Sequence, residues 1–134
     1  MNNLLALFFV LPAIAHAGLQ WESTQKSTSF KAGTGVYRTE FAFKNTGKSV
    51  VSISDIKTGC ACCTTGKVSK RHYAPGETGT VQMMVDVRGK EVPIAKPVLV
   101  EFADGSTPVS LVLTIKTTDG KPVKVPRWNI GIKR

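Results

Sequence analysis

The sequence has no helical stripe, few aromatic residues (7%), two histidines and no dense run of either charge, and each shortage closes off a class of explanation. Nucleophilic catalysis by a Ser-His-Asp or Cys-His arrangement needs a base held by an orienting group. The histidines are His16, in an apolar leader, and His72, in the basic stretch Lys70-Arg71-His72-Tyr73. The nine acidic residues are dispersed and form no pair in an apolar setting of the kind a glycosidase uses. Rossmann and phosphate-loop glycine patterns are also missing. No catalytic residue is assigned, and the chain is read as a non-enzyme.

Long apolar runs are equally scarce. Leu4 to Leu11 is the longest, and it is far short of the ~20 residues that cross a bilayer. It ends at Pro12 and is followed by Ala15-His16-Ala17, the small-x-small pattern cut by signal peptidase. Residues 1–17 are therefore expected to be a signal peptide cleaved after Ala17, although Met1-Asn2-Asn3 supplies only the α-amino charge at its start. Cleavage leaves residues 18–134 as a single soluble domain without a transmembrane segment, periplasmic or secreted. All 18 basic and all 9 acidic residues lie in that domain, so it keeps the formal charge of +9. Such a charge favours acidic partners, an envelope protein or an anionic surface. The basic residues are spread among strands and turns, and no nucleic-acid motif accompanies them, so nucleic acid is not an expected partner.

What is present is strand patterning. Tyr37 to Lys44 alternates Tyr37, Phe41 and Phe43 with polar or small residues, which is the period of a half-buried strand. Asn45-Thr46-Gly47 makes a turn, and Val50, Val51, Ile53 and Ile56 follow as a second strand, so the two runs are expected to form a hairpin. Asn45 is no glycosylation acceptor, because Gly47 stands where Ser or Thr is needed. Ala74-Pro75-Gly76-Glu77 is a second turn, in which Pro75 presets φ and Gly76 is free to take positive φ, and it launches Thr80 to Val87. Val98 to Phe102 and Val109 to Thr117 flank Asp104-Gly105-Ser106 as another hairpin. Trp21 and Phe30 are placed in a first strand, and Pro122 to Arg134 reads as a tail or edge strand. Phe41 and Phe43 are assigned to the core, while Trp21 and Trp128 receive no site role. These elements predict an all-β, immunoglobulin-like antiparallel sandwich of about seven strands.

Taken in order, Phe41-Ala42-Phe43-Lys44-Asn45-Thr46-Gly47, Val51-Ser52-Ile53, Gly59-Cys60-Ala61-Cys62 and Ala74-Pro75-Gly76-Glu77 resemble the bacterial Domain of Unknown Function 1573 family. That family shows an F-x-F-x-N-x-G hairpin, an S-C-G-C-T loop and an A-P-G-E turn, and the resemblance covers roughly residues 36–117. It implies an exported immunoglobulin-like domain, similar to domains built like major sperm protein, and it implies no activity. The chain departs from the pattern at Gly59, at Ala61 and at Cys63, which is inserted before Thr64.

Cys60, Cys62 and Cys63 are the chain's three cysteines, and three readings of their loop stand open. One is a disulfide or an inert structural role. An odd number in an oxidising compartment leaves at least one sulfur for other use. The second is soft-metal binding, Cu(I) or Zn(II), by two or three thiolates, with His72 or the thioether of Met83 or Met84 as weaker candidates. Met83 and Met84 are adjacent in a strand and must point to opposite faces. The third is redox or intermolecular bonding, which lacks the helix N-terminus that lowers a thioredoxin-type thiol pKa. The functional expectation is a binding or scaffold domain of the cell envelope, with thiol-based metal binding or redox chemistry as the alternative.

Overall fold

The computed structural model describes residues 15–16, 18–59 and 63–127. In chain order the strands are β1 (Ala15–His16), β2 (Leu19–Trp21), β3 (Gln25–Ser29), β4 (Val36–Asn45), β5 (Val51–Thr58) and β6 (Thr64–Val68). They continue as β7 (His72–Tyr73), β8 (Thr78–Asp86), β9 (Glu91–Val92), β10 (Ile94–Phe102), β11 (Val109–Lys116) and β12 (Val123–Lys124). Seven of them, β3, β4, β5, β6, β8, β10 and β11, have five residues or more and match the expected count. They form two five-stranded sheets, β1-β2-β4-β8-β6 and β3-β11-β10-β5-β7, with β12 and β9 as a separate pair.

Alternation buries one face of each sheet against the other. Phe41, Phe43, Val81, Met83 and Val85 from the first sheet meet Val51, Ile53, Val98, Val100, Leu111, Leu113 and Ile115 from the second in one core. Met83 is 1% exposed, and Met84 lies on the outer face, where its Sδ is 3.5 Å from Arg38 Nε. The hairpin around Asp104-Gly105-Ser106 joins β10 to β11 as expected, and the Asp104 carboxylate accepts the Ser106 N–H at 2.9 Å. Pro122 to Arg134 is described as far as Arg127 and contributes only β12, paired with β9. Trp128 lies outside the described residues.

One expectation is corrected. The runs on either side of Asn45-Thr46-Gly47 are not a hairpin: β4 pairs with β2 and β8, and β5 pairs with β10 and β7, in the other sheet. The connection arches across the sandwich, so Phe41 and Phe43 face Val51 and Ile53 through the core instead of lying beside them. Inward alternation is the same for a hairpin and an arch. The sheets are antiparallel as expected, and among the described strands β3 alone pairs in parallel, with β11. Between Trp21 and Gln25 the chain changes sheets without reversing, so β3 keeps the heading of β2 and meets β11 in parallel.

The arch is fixed by Asn45, which is fully buried. Its N–H donates to the Glu77 carbonyl (2.8 Å), and its carbonyl accepts from the Gly76 N–H (2.7 Å). Its side-chain Nδ2 donates to the carbonyls of Tyr73 (2.8 Å) and Ser49 (2.9 Å), while Oδ1 accepts from Gly47 N–H (3.0 Å). Gly76, at φ +86°, and the Glu77 N–H to Ala74 carbonyl bond (3.0 Å) define the second turn, with Pro75 at its second position. The two turn motifs of the sequence are thus one structure: the Asn45–Gly47 arch docks on the Ala74–Glu77 turn. Glu77 closes it by accepting from Ala74 N–H (3.0 Å) through Oε1 and from Lys70 Nζ through Oε2.

Candidate functional site

Asn45, Gly47, Pro75 and Gly76 are fully used in holding the two sheets together, which leaves the cysteine loop as the chemically distinctive segment. That loop is another of the connections between the sheets, joining the end of β5 to the start of β6. Cys60 and Cys62 lie outside the described residues, as does the expected cleavage site Ala17. Cys63 is described and is 7% exposed. Its Sγ is 3.8 Å from Thr64 Oγ1, and its carbonyl accepts from Asp86 N–H at 2.6 Å.

The structure does not bring His72 to Cys63, the cysteine among the described residues. His72 pairs with Ser52 at the start of β5, and its Nδ1 is 2.7 Å from Ser52 Oγ. Thr58 ends the same strand six residues on, about 20 Å away at roughly 3.3 Å per residue. Met83 is turned into the core and Met84 onto the outer face, so the two thioethers part as their adjacency requires. Among the described residues there is no group of three or more His, Cys, Asp or Glu able to hold a metal ion.

The cysteine end is stitched by backbone hydrogen bonds among four loops. Asp86 N–H reaches Cys63, Val87 N–H reaches the Gly35 carbonyl at 2.7 Å, and Gly89 and Val125 are joined by Gly89 N–H to Val125 O (2.7 Å) and Val125 N–H to Lys90 O (2.8 Å). Asp86 forms a two-point pair with Arg88, Nε to Oδ1 at 2.8 Å and Nη2 to Oδ2. The hydrogen-bonded guanidinium holds the Asp86 carboxyl below its ordinary pKa, and the carboxylate raises that of Arg88 in return. This pair also fixes the turn that follows β8, because Asp86 Oδ1 accepts the Arg88 N–H at 3.0 Å.

β6 leaves this end as the edge of its sheet, with β8 its one partner among the described strands. The bond from Asp86 N–H to Cys63 O makes those two residues a hydrogen-bonded pair, and alternation along the antiparallel ladder turns Thr65 and Lys67 toward β8 as well. The N–H and C=O groups of Thr64, Gly66 and Val68 therefore point away from the sheet. Their side-chain positions face inward: Thr64 is 2% exposed, and Val68 packs against the core. A Cβ on Gly66 would stand 2.8 Å from Ile56 Cγ2 and 2.9 Å from Val98 Cγ1. Glycine lets β6 approach the second sheet there. Outward from the ladder, Arg38, Glu40, Thr65, Lys67, Gln82 and Met84 line a groove of about 630 Å³. Sequence reading missed this edge, since strand order is set by tertiary pairing and four polar or small residues followed by one valine give no period of their own.

Comparison with known proteins places the fold. The chain is similar to the Vibrio cholerae VesB protease structure, at 14% identity and TM-score 0.57, over 75% of this chain and 32% of that one. It is similar to a protein of unknown function from Porphyromonas gingivalis W83, at 15% identity and TM-score 0.58, over 80% of this chain and 51% of that one. The ASH / PapD-like domain 7 of human CEP192 matches at 8% identity and TM-score 0.51, over 87% of this chain and 96% of that one. The chain thus spans about a third of the VesB structure and half of the P. gingivalis one. At these identities the likeness is one of fold alone. No curated protein matches the chain significantly. The expected family is matched over residues 19–118, and the chain belongs to the family described as Protein of unknown function (DUF1573).

Proposed function

We propose that this chain is an exported, non-catalytic binding domain of the cell envelope that takes up an extended segment of a partner protein along the open edge of β6. The observation that carries the reading is the outward set of backbone groups on Thr64, Gly66 and Val68, three donors and three acceptors in the register of a missing strand. An extended peptide satisfies such an edge by adding to the sheet, with affinity from main-chain bonds and selectivity from the side chains beside it. Thr65, Lys67, Arg38 and Met84 in the adjoining groove are those side chains. The apolar leader with its Ala15-His16-Ala17 site supports export.

The test is site-specific photocrosslinking in the native envelope. A photoreactive side chain at Lys67, beside the edge, is expected to trap a discrete partner. Val68→Pro removes an outward N–H that β8 does not use, and is expected to abolish the crosslink with the fold retained by circular dichroism. A crosslink indifferent to Val68→Pro, or substrate turnover by the purified domain that is lost on changing Cys60 or Cys62 to Ser, overturns the reading.

A further inference from the structure

The positive charge that looks scattered in sequence is gathered at one end by the fold. The segments 30–35, 87–93 and 117–127 share the end at which Cys63 leads into β6, because β4 and β10 begin there and β3, β5, β8 and β11 finish there. These loops carry Lys31, Arg88, Lys90, Lys121, Lys124 and Arg127 against Glu91 and Asp119, and the adjoining strand ends add Lys116 and Asp86. Loops 46–50, 69–77 and 103–108 at the opposite end carry Lys48, Lys70 and Arg71 against Glu77 and Asp104, and Lys70 is paired with Glu77. Of the basic groups at the cysteine end, Arg88 alone has a carboxylate partner among the described residues. The loops are also in direct contact: Arg88 lies against Gly35, where a Cβ would meet its Cγ at 2.4 Å, and Arg127 lies over Gly89, where a Cβ would meet its Cγ and Nε at 2.7 Å.

We propose that the cysteine end docks an acidic extended segment of a partner protein, whose carboxylates meet this basic cluster as the segment runs onto β6. The proposal rests on the reading of β6 as a strand-accepting edge, because β6 starts at this end. Summed charge of one sign raises the local concentration of an oppositely charged partner and orients its approach. One feature favours a polypeptide over an anionic bilayer: the β6 edge offers main-chain donors and acceptors that an extended chain pairs with and a lipid surface does not.

The test uses the mature chain with two probes, a fluorescein-labelled decaglutamate peptide and vesicles containing phosphatidylglycerol. Lys31→Glu with Lys124→Glu should weaken peptide binding on the order of tenfold at low salt. Lys44→Glu with Lys48→Glu, the same charge change at the opposite end, should weaken it less than about twofold. Equal weakening by both pairs, or no peptide binding by the wild type, overturns the proposal, as does vesicle binding that depends on Lys31 and Lys124 while the peptide fails to bind. Val68→Pro separates the two readings. Loss of peptide binding in it supports both, whereas retention alongside loss in the Lys31/Lys124 variant keeps the acidic partner and refutes the edge.

Discussion

Asn45→Ala and Asn45→Asp should destabilise the domain to different degrees, and the order of the two is set by one buried amide. Asn45 Nδ2 donates to Tyr73 O and Ser49 O, and Oδ1 accepts from Gly47 N–H. Alanine removes all three bonds, each contributing about 1 kcal/mol net. The Tyr73 carbonyl, whose bond to Asn45 is buried, has no route to water, whereas the Ser49 end is only part-buried and can be rehydrated. The expected loss is about 2–3 kcal/mol, which lowers the melting temperature by roughly 10 °C in a domain of this size. Aspartate is nearly isosteric and keeps the bond from Gly47, yet it turns a carboxylate oxygen on two carbonyl oxygens and has no donor for either. It should cost about 1–2 kcal/mol more than alanine at pH 7, the price of an unpaired charge facing acceptors. Its folded pKa is then raised above the unfolded value near 3.9, so the extra penalty is full above the raised pKa and disappears below the unfolded one. Urea melts of both variants at pH 7 and pH 3.5 give the difference directly, with effects common to both cancelling. An aspartate variant as stable as the alanine one at pH 7, or an alanine loss below about 1 kcal/mol, would refute the hub.

The other expectations are shorter. Gly66→Val forces a branched side chain into Ile56 and Val98 and should cost about 2–3 kcal/mol, more than Gly66→Ala; equal melts for wild type and both variants would show that β6 does not lie against the second sheet. A Cβ at Gly79 would come within 2.5 Å of Tyr73 Cε1 and 2.6 Å of Phe43 Cζ, so Gly79→Ala should broaden or shift the Tyr73 and Phe43 ring signals in proton NMR, and unchanged shifts would refute the contact. The hydrogen bond from Lys70, then that from Ala74 N–H, hold the Glu77 carboxyl below its ordinary pKa, so its stabilisation is present above the usual carboxylate range and lost as pH falls through the lowered value. The stability gap between wild type and Glu77→Gln should therefore close on acidification from pH 6 to pH 3, and a gap that widens would refute the sign. His72→Ala should leave any Cu(I) or Zn(II) uptake by the cysteine loop unchanged in native mass spectrometry, since β5 separates the two; loss of uptake would overturn that placement.

Patterning carried the reading of the fold wherever one strand's own side chains decide the matter. Tyr37, Phe41 and Phe43 are inward as their spacing requires, and Met83 and Met84 divide between core and outer face as adjacent strand residues must. Pairing between strands was less accessible. An inward period of two on both sides of Asn45 fits a hairpin and an inter-sheet arch alike, and the deciding contact is the bond to the Tyr73 carbonyl, 28 residues away. The parallel course of β3 is hidden for a similar reason, because Gln25–Ser29 is mostly exposed and carries no apolar alternation. Charge was the least legible of all: Lys31, Arg88, Lys90, Lys121, Lys124 and Arg127 are dispersed over nearly a hundred positions, and only the strand directions bring them to one end.

Edges, finally, are not equivalent in this sandwich. β1 and β7 have two residues each, and β2, which becomes the edge once residues 1–17 are removed, has three, too few to template another strand. β3 is longer, and the bonds from Val112 N–H to Thr24 O and from Phe30 N–H to Lys116 O turn its even-numbered residues toward β11, leaving Gln25, Ser27 and Ser29 facing out. At Gln25 the position is already filled: Ser23 Oγ donates to the Gln25 carbonyl at 2.6 Å and accepts its N–H at 3.3 Å. A side chain folded over the first outward residue shortens the template to two, in the way that natural sheets blunt an edge. β6 has no such cover among the described residues, and its inward side is committed to the second sheet through Thr64, Gly66 and Val68. With that side packed and β8 paired along its length, an arriving strand would meet donors and acceptors already in register instead of having to order them, which is the condition under which main-chain pairing yields usable affinity.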